Sequence, residues 1–199
     1  MNSRIQVGQP APAFRLPSAQ GSELSLEDYR AKQNVIVWFT KGMACPFCRQ
    51  HMSQLARGYP RFRELGAEIL EVSVSPPSRA RLYAKKFPLP FPYLCDPDYR
   101  VRRQWGLDRR SHSPMYYVRA FLSGARAPHV TSEFGSSAPD FLQLHRLLVD
   151  DDFGFFIVDR DGVVRYALAD TYADETTGWG RAIPSNEEIE QELGRLNAA

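Results

Sequence analysis

No apolar run in the sequence approaches the roughly 20 residues that a membrane-crossing helix needs. The longest stretches are only a few residues. The opening segment MNSRIQVGQPAPAF also lacks the apolar stretch of a cleaved export signal. The expected address is therefore the cytoplasm, with no membrane partner. Charge of one sign is scarce as well: the net charge is only +2. Nucleic-acid binders carry a strongly basic footprint, so no nucleic-acid partner is expected. No glycine-rich loop follows a strand, which removes support for a phosphate- or nucleotide-binding role.

Cysteine is sparse and odd in number: Cys45, Cys48 and Cys95. That argues against a disulfide framework and points to redox or metal chemistry. Cys45, Cys48 and His51 offer three zinc ligands, but no second CxxC and no paired histidines complete a structural site. No metal and no cofactor is therefore expected. The four histidines, His51, His112, His129 and His145, are scattered and read as surface or packing residues. The cluster Arg100, Arg102, Arg103, Arg109 and Arg110 reads as a solvated helix face.

What is present is globular composition, with 43% hydrophobic and 24% charged residues. A chain of 199 residues can bury a core without staples, and its length suits one domain over 1–199. Phe14–Leu16 and Glu23–Leu26 form a predicted hairpin, followed by a capping signal in Ser25 and Asp28. Asn34–Phe39 is short, apolar and rich in β-branched residues, as in a strand buried on both faces. Pro46–Arg57 reads as a helix, with Gly58 and Pro60 kinking or breaking it. Glu68–Ser75 is a second strand, Ser78–Phe87 a second helix, Pro92–Cys95 a short strand and Asp98–Trp105 a short helix. The alternation argues for βαβ units around a parallel sheet. Residues 108–150 break the rhythm and read as an insertion. Phe153–Val158 and Val163–Leu168 flank Asp161-Gly162, a β-hairpin signal. Residues 169–183 read as loop, and Asn186–Leu196 as a helix capped by Ser185.

The chemistry points to Cys45-Pro46-Phe47-Cys48. A buried strand ends, a loop follows, and the CxxC opens a helix. Cys45 falls just before the first helical residue, where unpaired N–H groups and the helix dipole stabilise a thiolate. Pro46 fits the first helical position, and Lys41 and Arg49 add nearby positive charge. Cys45 is thus the expected attacking thiol. Cys48, one turn on, is the expected resolving thiol, more buried and less acidic. The bland alternative is a pair of core cysteines. Cys95 reads as a packed structural thiol. Two functions stay open: a dithiol oxidoreductase, and a non-enzymatic sensor or interaction protein switched by a Cys45–Cys48 disulfide.

Several segments together resemble the AhpC/TSA (alkyl hydroperoxide reductase/thiol-specific antioxidant) family, the peroxiredoxin-like branch of the thioredoxin superfamily. They are Val7–Pro17, Val35–Arg49, Phe91–Asp98 with Trp105–Leu107, and Phe155–Tyr166. The resemblance implies an α/β, thioredoxin-like fold: a central mixed β-sheet flanked by helices, with the N-terminal hairpin and the 108–150 insertion added. It implies a peroxide or disulfide substrate and an external thiol reductant, thioredoxin- or glutathione-like, with a homodimer as one option. The CPFC sequence resembles glutaredoxin-type dithiols. Gly42 and Trp38 stand where peroxiredoxins carry the Thr and Pro of their active-site motif, and Phe153 stands where they place an Arg. Thioredoxins carry a cis-proline facing the CxxC, yet no proline lies between Pro139 and Pro184. The oxidant therefore stays open between a hydroperoxide and a disulfide.

Overall fold

The structure, a computed structural model, describes residues 4–107, 109–110, 115, 134, 150–171 and 183–198. Strands β1 (Arg15–Pro17) and β2 (Glu23–Ser25) pair antiparallel as the expected hairpin. A one-turn 3-10 helix, Leu26–Tyr29, follows. Ser25 caps it while the Asp28 carboxylate accepts from the Ser25 backbone N–H at 2.8 Å. The capping signal is thus a true box.

The main sheet is built on β3 (Asn34–Thr40), all seven residues of which are buried. It pairs in parallel with β4 (Ala67–Ser73), which pairs in parallel with β5 (Tyr93–Cys95). On its other side β3 meets β7 (Asp150–Val158) antiparallel, and β7 meets β8 (Val164–Thr171) antiparallel. A two-residue strand, β6 (Arg109–Arg110), pairs with the first residues of β7. The sheet is therefore mixed. Its alternating side chains separate two cores. Ile36, Trp38, Ile69, Tyr93, Cys95, Phe155 and Ile157 belong to one, and Val35, Val37, Phe39, Leu70, Val72, Leu94 and Phe156 to the other. The first core also takes in the apolar faces of α1 (Pro46–Glu64) and of α4 (Asn186–Ala198). The second takes in the N-terminal hairpin and the end of α3 (Arg100–Gln104). Helix α2 (Pro77–Lys86) buries Ala80 in the first core.

Two expectations are corrected here. Helix α1 does not break at Gly58 and Pro60 but runs 19 residues through both. A proline inside a helix costs about 3 kcal/mol. Burial of Leu55 before it and Phe62 after it contributes about 2 kcal/mol each, so packing outweighs the lost bond. Gly58 is needed for the fit, since a Cβ there would stand 2.5 Å from Phe62 Cζ and 2.8 Å from the Asn186 side chain. The segment after Leu168 is not loop at its start: β8 continues to Thr171, opposite Asp152. The rest of that expected loop, 172–182, lies outside the described residues, as does most of the 108–150 insertion. Of that insertion, Met115 is exposed. Phe134 is buried, and its carbonyl accepts from Tyr83 Oη of α2 at 2.7 Å. The Asp161-Gly162 turn is as expected, with Gly162 at φ +81°. So is the Ser185 cap, whose Oγ accepts from the Glu188 N–H at 3.2 Å.

Candidate active site

Strand β3 delivers the chain to a tight turn at the C-terminal end of the sheet. Thr40 closes the strand, Gly42–Ala44 make one 3-10 turn, and Cys45 is the N-cap of α1 with Pro46 in its first turn. Cys48 lies one helical turn further on. Both thiols are free and buried, Cys45 at 3% exposure and Cys48 at 0%. The backbone at Cys45 is extended (φ −92°, ψ 120°), so its side chain stands outside the first turn of N–H groups. That end of a helix favours a thiolate.

The turn is held from several directions. The Gly42 N–H donates to Thr40 Oγ1 at 2.6 Å, and the Cys45 N–H to the Gly42 carbonyl at 3.1 Å. The Met43 N–H donates to Tyr93 Oη at 3.3 Å, while the Met43 carbonyl accepts from Arg49 Nε at 2.7 Å. Arg49 thus lies where the sequence places it, but part of its work is to fix the turn. Lys41, half-buried, precedes the turn.

Tyr93 anchors a closed ring of hydroxyls. Its O–H donates to Ser73 Oγ at 2.7 Å, Ser73 donates to Ser75 Oγ at 2.8 Å, and Ser75 and Tyr93 are 2.9 Å apart. With the Tyr93 proton spent on Ser73, the Ser75 hydroxyl donates to Tyr93, and each member gives one bond and takes one. Gly42 sits directly against this ring at φ +75°. A Cβ at Gly42 would run into Tyr93 Oη and Ser73 Oγ, and would lie 2.8 Å from Ser75 Oγ.

Arg102 corrects the reading of the arginine cluster. Arg100 and Arg103 are exposed, but Arg102 is 1% exposed. Its guanidinium lies over the Phe39 ring and donates to the Thr40 carbonyl at 2.8 Å. Its backbone N–H is capped by the Asp96 carboxylate at 2.9 Å. The charge therefore holds the end of β3 and is not a solvated surface group.

Behind the thiols, buried polar groups collect on the α1 side of the sheet. Trp38, Glu71 and Tyr93 stand side by side on β3, β4 and β5. The His51 ring meets the Trp38 ring edge-on at 6.1 Å. Burial lowers the His51 pKa from 6.5 to about 4. Glu71 is fully buried, and burial, then the nearby Cys48, raise its pKa well above the usual carboxylate range. Cys95 is pushed up to about 11, mainly by burial. Among the described residues, no group of three His, Cys, Asp or Glu side chains is arranged to hold a metal ion, and Cys45, Cys48 and His51 do not form one. No peptide bond among them is cis.

Sequence reasoning found the two thiols, Lys41, Pro46 and Arg49. It missed Glu71, Tyr93, Ser73, Ser75 and Arg102. One signal was available: Glu71 sits in the middle of a strand otherwise read as wholly buried, where a carboxylate is out of place.

A mixed sheet layered between helices, with a dithiol opening the helix after its central strand, defines a thioredoxin-like protein. The AhpC/TSA family model matches residues 7–131, which is 125 of 199 positions. The chain belongs to the AhpC/TSA family. It is 32% identical over 105 residues to a chloroplastic peroxiredoxin Q of Populus jackii, covering 53% of this chain and 49% of that one. It is 34% identical over 104 residues to a putative peroxiredoxin of Mycobacterium tuberculosis, covering 52% and 66%. The chain thus spans about half the length of the plant relative. Among solved structures, the peroxidoxin BcpB of Mycobacterium tuberculosis superposes with a TM-score of 0.62 at 16% identity, over 98% of both chains. A reduced 2-Cys peroxiredoxin of Plasmodium vivax superposes equally well, at 17% identity, over 96% of this chain and 82% of that one. These last two likenesses are of fold. Among the described residues, no helix is long and apolar enough to cross a membrane.

Proposed function

We propose that the protein is a thiol-dependent peroxidase of the peroxiredoxin type, acting through Cys45 and Cys48 on a single domain over 1–199. The observation that carries the reading is Cys45 as N-cap of α1, with Cys48 buried one turn behind it, in a chain of the AhpC/TSA family. The Cys45 thiolate attacks the terminal oxygen of a hydroperoxide. The O–O bond breaks, the alkoxide leaves and takes a proton, and Cys45 becomes a sulfenic acid. Cys48 then displaces water from that sulfur to give the Cys45–Cys48 disulfide. Two equivalents of an external thiol, thioredoxin- or glutathione-like, return both cysteines to thiols and leave as a disulfide. Lys41, Pro46 and Arg49 support the Cys45 thiolate. The reaction needs no metal or cofactor, and the proposed setting is the cytoplasm, with a homodimer as the oligomeric state to examine. Family membership favours this enzyme over the non-enzymatic sensor.

A second substrate class is favoured by one observation. Gly42 and Phe153 occupy the positions at which peroxiredoxins carry the Thr and Arg of the peroxide site. A protein or small-molecule disulfide is therefore the competing oxidant for the same thiols. The test is steady-state consumption of hydrogen peroxide, then of a small disulfide, with dithiothreitol as reductant. Cys45→Ser is expected to abolish turnover, and Cys48→Ser to let a sulfenic acid or mixed disulfide accumulate at Cys45. Full turnover by Cys45→Ser would refute the assignment. Turnover with the disulfide but not the peroxide would replace the first substrate with the second.

A further inference from the structure

We propose that Glu71 is the buried proton donor to Cys48 when the Cys45–Cys48 disulfide is reductively opened. The proposal rests on the dithiol cycle above and assigns a residue that the cycle does not use.

Glu71 lies mid-way along β4, between Trp38 of β3 and Tyr93 of β5. It is 0% exposed. Neither carboxyl oxygen has a hydrogen-bond partner among the described residues. Buried carboxyls kept for structure are normally satisfied, whereas this one is sealed in without a partner. It faces Cys48 of α1, whose charge bears on it directly. The other titratable groups around it are Tyr83 of α2 with Tyr93 and Cys95 of β5, each of which feels the Glu71 charge. His51 of α1 lies against Trp38 beside it. Arg49 and Arg81 bear on Tyr83 and Cys95 respectively. Burial keeps Glu71 protonated where an ordinary carboxylate is ionised.

That proton is what the reductive half-cycle lacks. An external thiolate attacks Cys45 Sγ, a new S–S bond forms, and the bond to Cys48 breaks. The electron pair leaves on Cys48 Sγ, in a fully buried site where a thiolate is strongly disfavoured. Leaving-group thiols of high pKa leave slowly. Transfer of the Glu71 carboxyl proton to Cys48 Sγ gives a neutral thiol and moves the charge to Glu71. In balance, the thiolate, the disulfide and the acid become the mixed disulfide on Cys45, the Cys48 thiol and the Glu71 carboxylate. A proton from solvent then restores the acid. The same pair run backwards takes the proton from Cys48 as it attacks a mixed disulfide.

The experiment uses the oxidised full chain. Mass spectrometry first establishes that wild type holds the Cys45–Cys48 disulfide. Its opening by dithiothreitol is then followed by tryptophan fluorescence from about pH 5 to 9, each rate being divided by the concentration of reductant thiolate. Wild type is expected to show a corrected rate that falls as pH rises and Glu71 loses its proton. Glu71→Gln is expected to lose this dependence and to open roughly 100-fold more slowly at low pH, and Glu71→Asp to restore the dependence. A wild-type corrected rate that is flat with pH, or a Glu71→Gln profile that overlays wild type, overturns the proposal. Should Glu71→Gln fail to fold, the wild-type profile decides alone. Absence of the disulfide in oxidised wild type would overturn the dithiol cycle and this step with it. A disulfide that forms but opens with a flat profile overturns the role of Glu71 only.

Discussion

Tyr93→Phe removes one oxygen atom and tests whether the hydroxyl ring holds the active-site turn. The lost oxygen donates to Ser73, accepts from Ser75 and accepts from the Met43 N–H. Ser73 and Ser75 keep their mutual bond at 2.8 Å, so each loses one partner of two. The Met43 N–H, in a buried turn, loses its partner outright. An unsatisfied buried donor costs about 1–3 kcal/mol, and each net hydrogen bond contributes about 1 kcal/mol. The expected loss is therefore about 3 kcal/mol, most of it local to Gly42–Cys45. Guanidinium unfolding is expected to show a lower midpoint with an unchanged slope. Hydrogen exchange is expected to show the Met43 amide losing protection ahead of β3 and β4, and oxidation of Cys45 by peroxide is expected to slow. A loss under about 0.5 kcal/mol, the range of inert surface changes, together with unchanged Met43 protection, would refute the reasoning.

Gly42→Ala presses on the same ring by adding an atom, against Tyr93 Oη and Ser73 Oγ, and forces alanine to φ +75°. It is expected to destabilise more than Tyr93→Phe, and combining the two should cost less than their sum, since the phenylalanine gives up the contacted oxygen; strict additivity in denaturation midpoints would count against this packing. The folded chain binds the His51 proton only near pH 4 while the unfolded chain binds it near 6.5, so the unfolded state holds more protons in that window. Stability should then fall as pH drops from 6.5 to 4, by up to about 3 kcal/mol. Glu71 acts in the opposite sense: its folded pKa is raised, and it withdraws stability as pH climbs above the normal carboxylate range. Thermal melts against pH should show His51→Phe flattening the acid limb, and an unchanged acid limb would remove His51 as its cause.

The parts of the fold legible in the sequence are those set by neighbours along the chain. The seven-residue apolar run of β3, the Ser25 and Ser185 caps, the Asp161-Gly162 turn and the N-cap position of Cys45 all depend on local patterns. The misread parts depend on contacts between distant segments. Pro60 is a helix breaker until the burial of Leu55 and Phe62 is counted. Arg102 looks solvated beside Arg100 and Arg103, because its partner carbonyl lies 62 positions away at Thr40. The hydroxyl ring needs the parallel register that sets Ser73 beside Cys95 and Glu71 beside Tyr93, and no spacing within one segment reveals it. The site was therefore half legible: the reacting sulfurs were, and the groups that hold and surround them were not.

Arg102 and Tyr93 reach the same few residues from opposite layers of the molecule. Arg102 grips the Thr40 carbonyl from the side of the hairpin and α3, while Tyr93 grips Met43 from the side of α1 and α2. The turn that carries Cys45 works as a rivet through the sheet, and its position reports the spacing of both layers. Segment 40–49 transplanted onto another thioredoxin-like scaffold would bring the two sulfurs without either fastening. A graft that is to behave like the parent must carry Arg102, Ser73, Ser75 and Tyr93 with it.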